Sequence, residues 1–379
     1  LRILVLCYEY PPVGGGGGRI AAVVSEGLAA RGHTVRVVTS HTGALPHEET
    51  STRGVSLRRA FAGRLRQDRC TVPEMAAYVA SHSFIVSAEI ARFKPDVIHS
   101  HFAVPTGAVA WLTTRLRPVP YVITAHLADV PGAMPEQTEL LFRFAKPMTR
   151  PIWRGAAASS AVAPHLVELA DKAYGQRPVV IRNGIDMSDA ARAPSPVDGP
   201  VRVLWCGRMQ AQKNLAPVLL GLGALADLPW TLDLIGDGPL RAEVEESIRK
   251  AGLTEKARIH GWLPAERVRD IFRQSHVLFM PSLSEGLSLV TIEALRDALA
   301  IVGSRIPGID DVVVDGENGI LCNPQDPATY ARALADLIGS PDRLDAMRRT
   351  ALARAPLYDA ERMIDAYEEL LSRAAGGSK

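Results

Sequence analysis

Four cysteines are all this 379-residue chain contains, and Cys7, Cys70, Cys206 and Cys322 are too scattered to form a metal-type pair. Zinc-ribbon and finger-type sites are thereby excluded. Cys7 and Cys206 each close an apolar strand-like run, so they are expected to be buried free thiols in a reducing cytoplasm. No apolar run reaches the ~20 residues of a membrane span. No secretory signal precedes the first strand-like run, although the chain begins at Leu1 rather than Met. Aromatics make up only 6% of the chain and do not interleave with its basic cluster, which argues against nucleic acid. A dinucleotide fingerprint is also missing. The glycine run Gly14–Gly18 lacks the Gly-x-Gly-x-x-Gly spacing, and the second strand-like run ends in Thr39-Ser40 rather than an acid, which disfavours a dehydrogenase.

What is present describes a globular protein, with 47% apolar and 22% charged residues in a chain long enough for two domains. Residues 1–186 carry 21 Lys+Arg against 14 Asp+Glu, while the rest carries 22 against 27, an asymmetry that points to an anionic partner for the front half. Strand-like and helix-like segments alternate throughout, which predicts an α/β protein with parallel sheets. The first series is Ile3–Cys7, Val35–Thr39, Asp96–His99, Tyr121–Thr124 and Val179–Ile181, with helical patterns at Ile20–Ala30 and Ala76–Phe93. The series then starts again at Val201–Cys206, Trp230–Ile235, Ala257–His260, Val277–Met280 and Ala300–Val302. The expected organisation is two doubly wound domains, 1–186 and 201–359, joined by a linker at 187–200. A C-terminal helix at about 360–379 is expected to pack back on the first domain. Ligands are expected at the carboxyl ends of the strands, in a cleft between the domains.

Three motifs carry chemistry. In Pro281–Ala294 two carboxylates, Glu285 and Glu293, stand eight positions apart around a Glu-Gly turn. A helix beginning near Gly286 would separate their backbones by roughly 12 Å. It would also aim the N–H groups of Gly286, Leu287 and Ser288 at a bound anion. A ligand with hydroxyls at both ends and a diphosphate between them, such as a sugar nucleotide, suits that layout. The glycine run between a strand and a helix starting at about Arg19 can approach a phosphate or sugar closely; the plainer reading is a flexible loop. Arg208 and Lys213, five residues apart across a strand-to-helix turn, can converge on one diphosphate. Gly236-Asp237-Gly238-Pro239 is, by itself, no more than a tight turn. His99 and His101 share one strand face, but no third ligand makes a metal site of them.

The ordered set of motifs resembles glycosyltransferase family 4, the retaining enzymes of the GT-B fold. The resemblance covers nearly the whole chain. It takes in the glycine loop, Arg31-Gly32-His33-Thr34-Val35, Asp96-Val97-Ile98-His99-Ser100-His101, Thr124-Ala125-His126 and Ile181-Arg182-Asn183-Gly184-Ile185-Asp186. It continues through Gly207-Arg208 with Lys213, Gly236-Asp237-Gly238-Pro239, the Glu285/Glu293 pair and Asp315-Gly316-Glu317-Asn318-Gly319. The resemblance implies that Glu293 holds the ribose hydroxyls and Glu285 those of the donor sugar, beside Gly286, Leu287 and Ser288. It implies that Arg208 and Lys213 bind the diphosphate, faced by Gly15, Gly16 and Gly17, and that His126 lies near the reacting carbon. Trp262 falls in the stretch beside the base. His101 and Asp129 are candidate acceptor contacts.

Some positions depart from the family pattern: Arg182 replaces a common Pro, and Arg296-Asp297-Ala298 stands where small residues and a Gly are commoner. The resemblance implies a nucleotide-diphosphate sugar as donor, no metal, and a front-face reaction in which the donor phosphate helps to take the acceptor proton. No Asp-x-Asp triplet occurs to hold a metal on the diphosphate. Six arginines lie between Arg53 and Arg69, with Leu57, Phe61 and Leu65 recurring every four positions. A basic amphipathic helix here would dock on an anionic membrane carrying a lipid-linked acceptor, making the protein peripheral on its inner face; the other reading is a solvated loop. The alternatives to a transferase are an inactive sugar-nucleotide-binding subunit and a phosphorylase or epimerase on the same fold.

Overall fold

A computed structural model describes residues 1–64, 71–134, 146–191, 193–194 and 197–376. They form two compact units, Leu1–Gly184 with Ala360–Lys379, and Ile185–Asp359.

The first unit holds strands β1 (Arg2–Leu6), β2 (Thr34–His41), β3 (Glu48–Thr50), β4 (Ser56–Phe61), β5 (Val97–His101), β6 (Tyr121–Ala125), β7 (Ala158–Ala161) and β8 (Val179–Val180). Their order in the sheet is β3-β4-β2-β1-β5-β6-β7-β8, parallel except for β3 against β4. The second unit holds β9 (Val201–Cys206), β10 (Trp230–Ile235), β11 (Ala257–Gly261), β12 (Val277–Met280), β13 (Ala300–Ser304) and β14 (Gly319–Cys322), all parallel, in the order β11-β10-β9-β12-β13-β14. The central strands are continuous apolar runs because helices cover both faces of the sheet. Ile3 to Leu6 and Val277 to Met280 are fully buried. Strand order reverses between β1 and β5 and again between β9 and β12. The carboxyl ends at such a reversal are where doubly wound sheets bind ligands.

Several expectations change. The described part of the basic stretch, 53–64, is not a helix: Ser56–Phe61 is the strand β4, and Leu65, Arg66 and Arg69 lie outside the described residues. Three of its arginines are turned to internal partners. Arg58 and Arg36 flank the buried Glu89, Arg59 pairs with Glu49 at 2.6 Å, and the buried Arg64 donates to the Tyr8 carbonyl at 3.1 Å. A membrane-facing arginine stripe therefore has no helix to carry it over Ser56–Phe61. The first helix starts at Gly16 rather than Arg19, so three of the five glycines form its opening turn. Cys7 and Cys322 are buried, but Cys206 is only half-buried, and Cys70 lies outside the described residues.

The helix Ala360–Gly376 packs within the first unit. Arg31, just past the end of the first helix, reaches Glu361, Asp365 and Glu368, each at 2.7 Å, and His33 reaches Glu368 at 2.7 Å. Tyr367, fully buried, sets its ring 5.1 Å from that of His99. Glu361 and Asp365 are exposed and Glu368 is half-buried, so Arg31→Ala is expected to cost only about 1 kcal/mol. Tyr367→Ala removes a buried aromatic and is expected to cost about 3 kcal/mol or more. Denaturant melts of the two variants check both the order and the gap.

Candidate active site

In the second unit the chain leaves β9 through Gly207-Arg208 and leaves β12 through Pro281–Ser288, the two strands at the order reversal. Lys213 ends a short 3-10 turn after β9, and its Nζ lies 2.6 Å from Glu285 Oε1, with both side chains almost buried. Gln212 fastens the two loops together. Its side-chain amide donates to the Ser284 carbonyl at 2.6 Å and its backbone carbonyl accepts from Leu283 N–H at 2.8 Å. Arg208 is half-buried beside this pair in sequence, Glu293 is half-buried, and Trp262 is 64% exposed after β11.

The helix of the paired-Glu motif begins at Leu289, with Ser288 as its extended N-cap. Gly286, Leu287 and Ser288 are thus the bend before the helix and not its first turn. A 1.5 Å rise per residue consequently does not describe the spacing from Glu285 to Glu293. Backbone packing holds that bend. A Cβ on Gly308, whose φ is +85°, would come within 2.2 Å of the Gly286 carbonyl oxygen and 2.6 Å of that of Glu285. Likewise a Cβ on Gly236 would strike the Gly207 oxygen at 1.8 Å, and one on Gly238 the Met209 oxygen at 2.4 Å. Gly236–Pro239 is therefore more than a turn: its backbone lies against the Arg208 loop, where Met209 N–H donates to the Asp237 carbonyl at 2.9 Å. Ala298 takes the left-handed conformation (φ +59°) that a glycine would adopt freely at a helix end, which explains where the motif departs from its usual composition.

In the first unit the glycine run is shaped by its neighbours. Glu9 Oε2 accepts from Gly15 N–H at 2.9 Å. A Cβ on Gly17 would meet Phe102 Cζ at 2.4 Å and His126 Cγ at 3.3 Å, and one on Gly18 the Glu9 carbonyl oxygen at 2.6 Å. The helix opening therefore rests directly on His126. His126 Nε2 is 3.1 Å from His101 Nδ1, a shared hydrogen bond between two buried imidazoles. His99, on the same face of β5 as His101, bonds Thr124 Oγ1 at 2.8 Å. Burial pulls His99 and His126 down to about 3, and burial with two imidazole neighbours holds His101 well below its ordinary value, so all three are neutral at pH 7.

Asp129 is buried. Its carboxylate accepts from the N–H groups of His126 (3.2 Å), Leu127 (3.1 Å) and Ala103 (3.2 Å). Burial raises its pKa against the pull of those donors. Such contacts fix the loop that presents His126. The residues brought together are Gly15–Gly17 with His126, His101 and Asp129 in one unit, and Lys213 with Glu285 and the Gly286–Ser288 bend in the other. Glu9, Phe102, Gln212 and Gly308 escaped the sequence reading. Of these only Gly308, in a Pro-Gly pair after a strand, left a turn signal.

Residues 14–189 match the family model described as Glycosyltransferase Family 4, and residues 200–340 that for Glycosyl transferases group 1. Over 382 residues the chain is 31% identical to the D-inositol 3-phosphate glycosyltransferase of Acidothermus cellulolyticus, covering 90% of this chain and 82% of that one. The chain belongs to glycosyltransferase family 4. Among solved structures, this family 4 chain superposes on the sucrose-phosphate synthase of Thermosynechococcus elongatus with a TM-score of 0.87, at 18% identity and full coverage of both chains. It matches HepE of Anabaena, solved with UDP and glucose, with a TM-score of 0.78 at 19% identity, over 98% and 99% of the two chains. The fold is GT-B, with two Rossmann-like units.

Two outcomes follow for this glycosyltransferase. The three histidines stay neutral when folded but take up protons below about pH 6.5 when unfolded, so their contribution is complete above pH 6.5 and is lost as pH falls towards 3. Melting temperature is expected to drop through that window, with a shallower slope in His99→Gln. Gly308→Ala, which sets a Cβ against the Glu285–Gly286 backbone at a position with φ +85°, is expected to lower the melting temperature by several degrees while leaving the circular-dichroism spectrum in place.

Proposed function

We propose that this glycosyltransferase moves a sugar from a nucleotide-diphosphate donor to an acceptor hydroxyl with retention of configuration and without a metal ion. The observation that carries the reading is the Lys213–Glu285 pair, 2.6 Å apart and almost buried where β9 and β12 diverge. Cation and carboxylate in contact are what a ligand with an anionic diphosphate and neutral hydroxyls can exchange for its own groups. The diphosphate takes Lys213, together with Arg208, and a sugar hydroxyl takes Glu285. Glu293 is assigned to the ribose and Trp262 to the base side.

In the transfer, the bond from the anomeric carbon to the diphosphate oxygen breaks and a bond to the acceptor oxygen forms on the same face. The acceptor proton passes to the departing diphosphate. Arg208 and Lys213 stabilise the charge that develops there, and such a contact is often worth ~3 kcal/mol in rate. His126, neutral and fixed by Asp129 and His101, is assigned to a hydrogen bond with the donor sugar. The acceptor is left open, because the similar proteins carry names as different as D-inositol 3-phosphate glycosyltransferase and sucrose-phosphate synthase.

Calorimetric titration with UDP, GDP, ADP, TDP and CDP tests the donor site, with UDP first because the Anabaena neighbour was solved with it. One nucleotide is expected to bind selectively, and its binding to be lost in Arg208→Ala and Glu293→Ala. No binding of any nucleotide would count against the donor reading. Product analysis with the matching sugar nucleotide then separates transfer from phosphorolysis or epimerisation, and an isolated glycosyl-enzyme adduct would rule out the front-face route. With a turning-over donor, Lys213→Ala is expected to lower kcat by about 100-fold or more.

A further inference from the structure

The sheet of the second unit leaves one face of its outer strands polar. Strands β12 and β13 are buried throughout, as a parallel sheet covered by helices requires. Strands β10 and β11 differ, because polar Thr231, Asp233, Arg258 and His260 alternate there with apolar residues. In-register residues of neighbouring strands point to the same side: Arg202 of β9 is opposite Thr231, and Asp233 is opposite Arg258. Arg202, Asp233, Arg258 and His260 therefore share a face. With the helix Ala265–Gln274 they wall a cavity of about 610 Å³. That volume lies within the ~300–1,000 Å³ of small-molecule sites.

Both acids in this wall already have partners. His260 Nε2 lies 2.6 Å from Asp233 Oδ1, and Arg267 lies 3.3 Å from Asp270. The guanidinium groups of Arg202, half-buried, and Arg258, exposed, make no hydrogen bond or ion pair among the described residues. Two strand spacings across and two residues along put their Cα atoms about 12 Å apart. Two arginine side chains can close on one phosphate group across that span, each offering a planar fork of donors. An anion in the cavity would replace water on both guanidinium groups with charge-assisted hydrogen bonds.

We propose that this cavity is a second anion site, for a small molecule bearing a phosphate ester or a diphosphate, separate from the donor site. Arg202 is the second residue of β9 and Arg208 lies two residues past its end; from Arg202 to Cys206 the strand alone spans roughly 13 Å. None of Arg208, Lys213, Glu285 and Glu293 lines the cavity. Its recessed shape and its two available cations suit a compact ligand and not the extended backbone of a nucleic acid, which needs a long basic track.

The test is calorimetry with inorganic pyrophosphate and, in parallel, glucose 6-phosphate, on protein carrying Arg208→Ala and Lys213→Ala so that the donor site does not contribute. Saturable binding of at least one probe is expected, weakened tenfold or more when Arg202→Gln and Arg258→Gln are added. Pyrophosphate alone identifies a bare diphosphate as the recognised group, and glucose 6-phosphate a phosphate ester. The single variant Arg258→Glu, at an exposed position, is expected to show the same loss with an unchanged melting temperature. No saturable binding of either probe overturns the proposal, as does binding that survives Arg258→Glu and the double substitution.

Discussion

Contact of backbone against backbone at Gly236, Gly238 and Gly308 is the constraint on which the second unit's site rests. Each of these glycines lies where a Cβ would overlap a main-chain carbonyl. Only with that space empty can the loop after β9 lie on the loop after β10, and the Glu285–Gly286 bend lie on the loop after β13. Lys213 and Glu285 then arrive in contact from separate strands without either side chain having to search. The first unit repeats the device at Gly17 and Gly18, which seat a helix opening on His126 and on the Glu9 backbone. Preorganisation in both units is thus a matter of missing side chains as much as of present ones.

Charge is handled differently in the two units. In the second, opposite charges meet at the strand ends, a geometry whose desolvation is offset only while the partner stays in place. In the first, burial keeps the imidazoles of His99, His101 and His126 uncharged, and the buried Glu89 is compensated by Arg36 and Arg58. The arginine-rich segment accordingly has a structural job, and the front half's excess of positive charge does not by itself identify an anionic partner.

The α/β architecture was legible because its central strands are uninterrupted runs of apolar residues bounded by turns, and the ordered motifs led to the family. What could not be read had weak local signals. Strand β7, Ala158–Ala161, is built from small residues with little strand preference and forms because β6 and β8 flank it. Strand β4 was hidden by four-residue spacing that imitates a helix, and its arginines are accounted for by acids that lie far away in sequence. The Glu293 helix starts at Leu289, three residues beyond Gly286, and the contact that backs the Glu285–Gly286 bend comes from Gly308, distant in sequence. Gln212 had no local pattern at all: its importance arises from two hydrogen bonds to a loop seventy residues away.

The helix Ala360–Gly376 has a consequence for biogenesis. The second unit is one uninterrupted length of chain, whereas the first is assembled from two pieces separated by the whole of the second. During synthesis, Ile185–Asp359 can complete its fold as soon as it is made. The first unit must wait with the surface around Gly27, Arg31 and His99 uncovered until Ile364, Tyr367 and Glu368 emerge. Damage at the far end of the coding sequence therefore falls on the unit that is translated first.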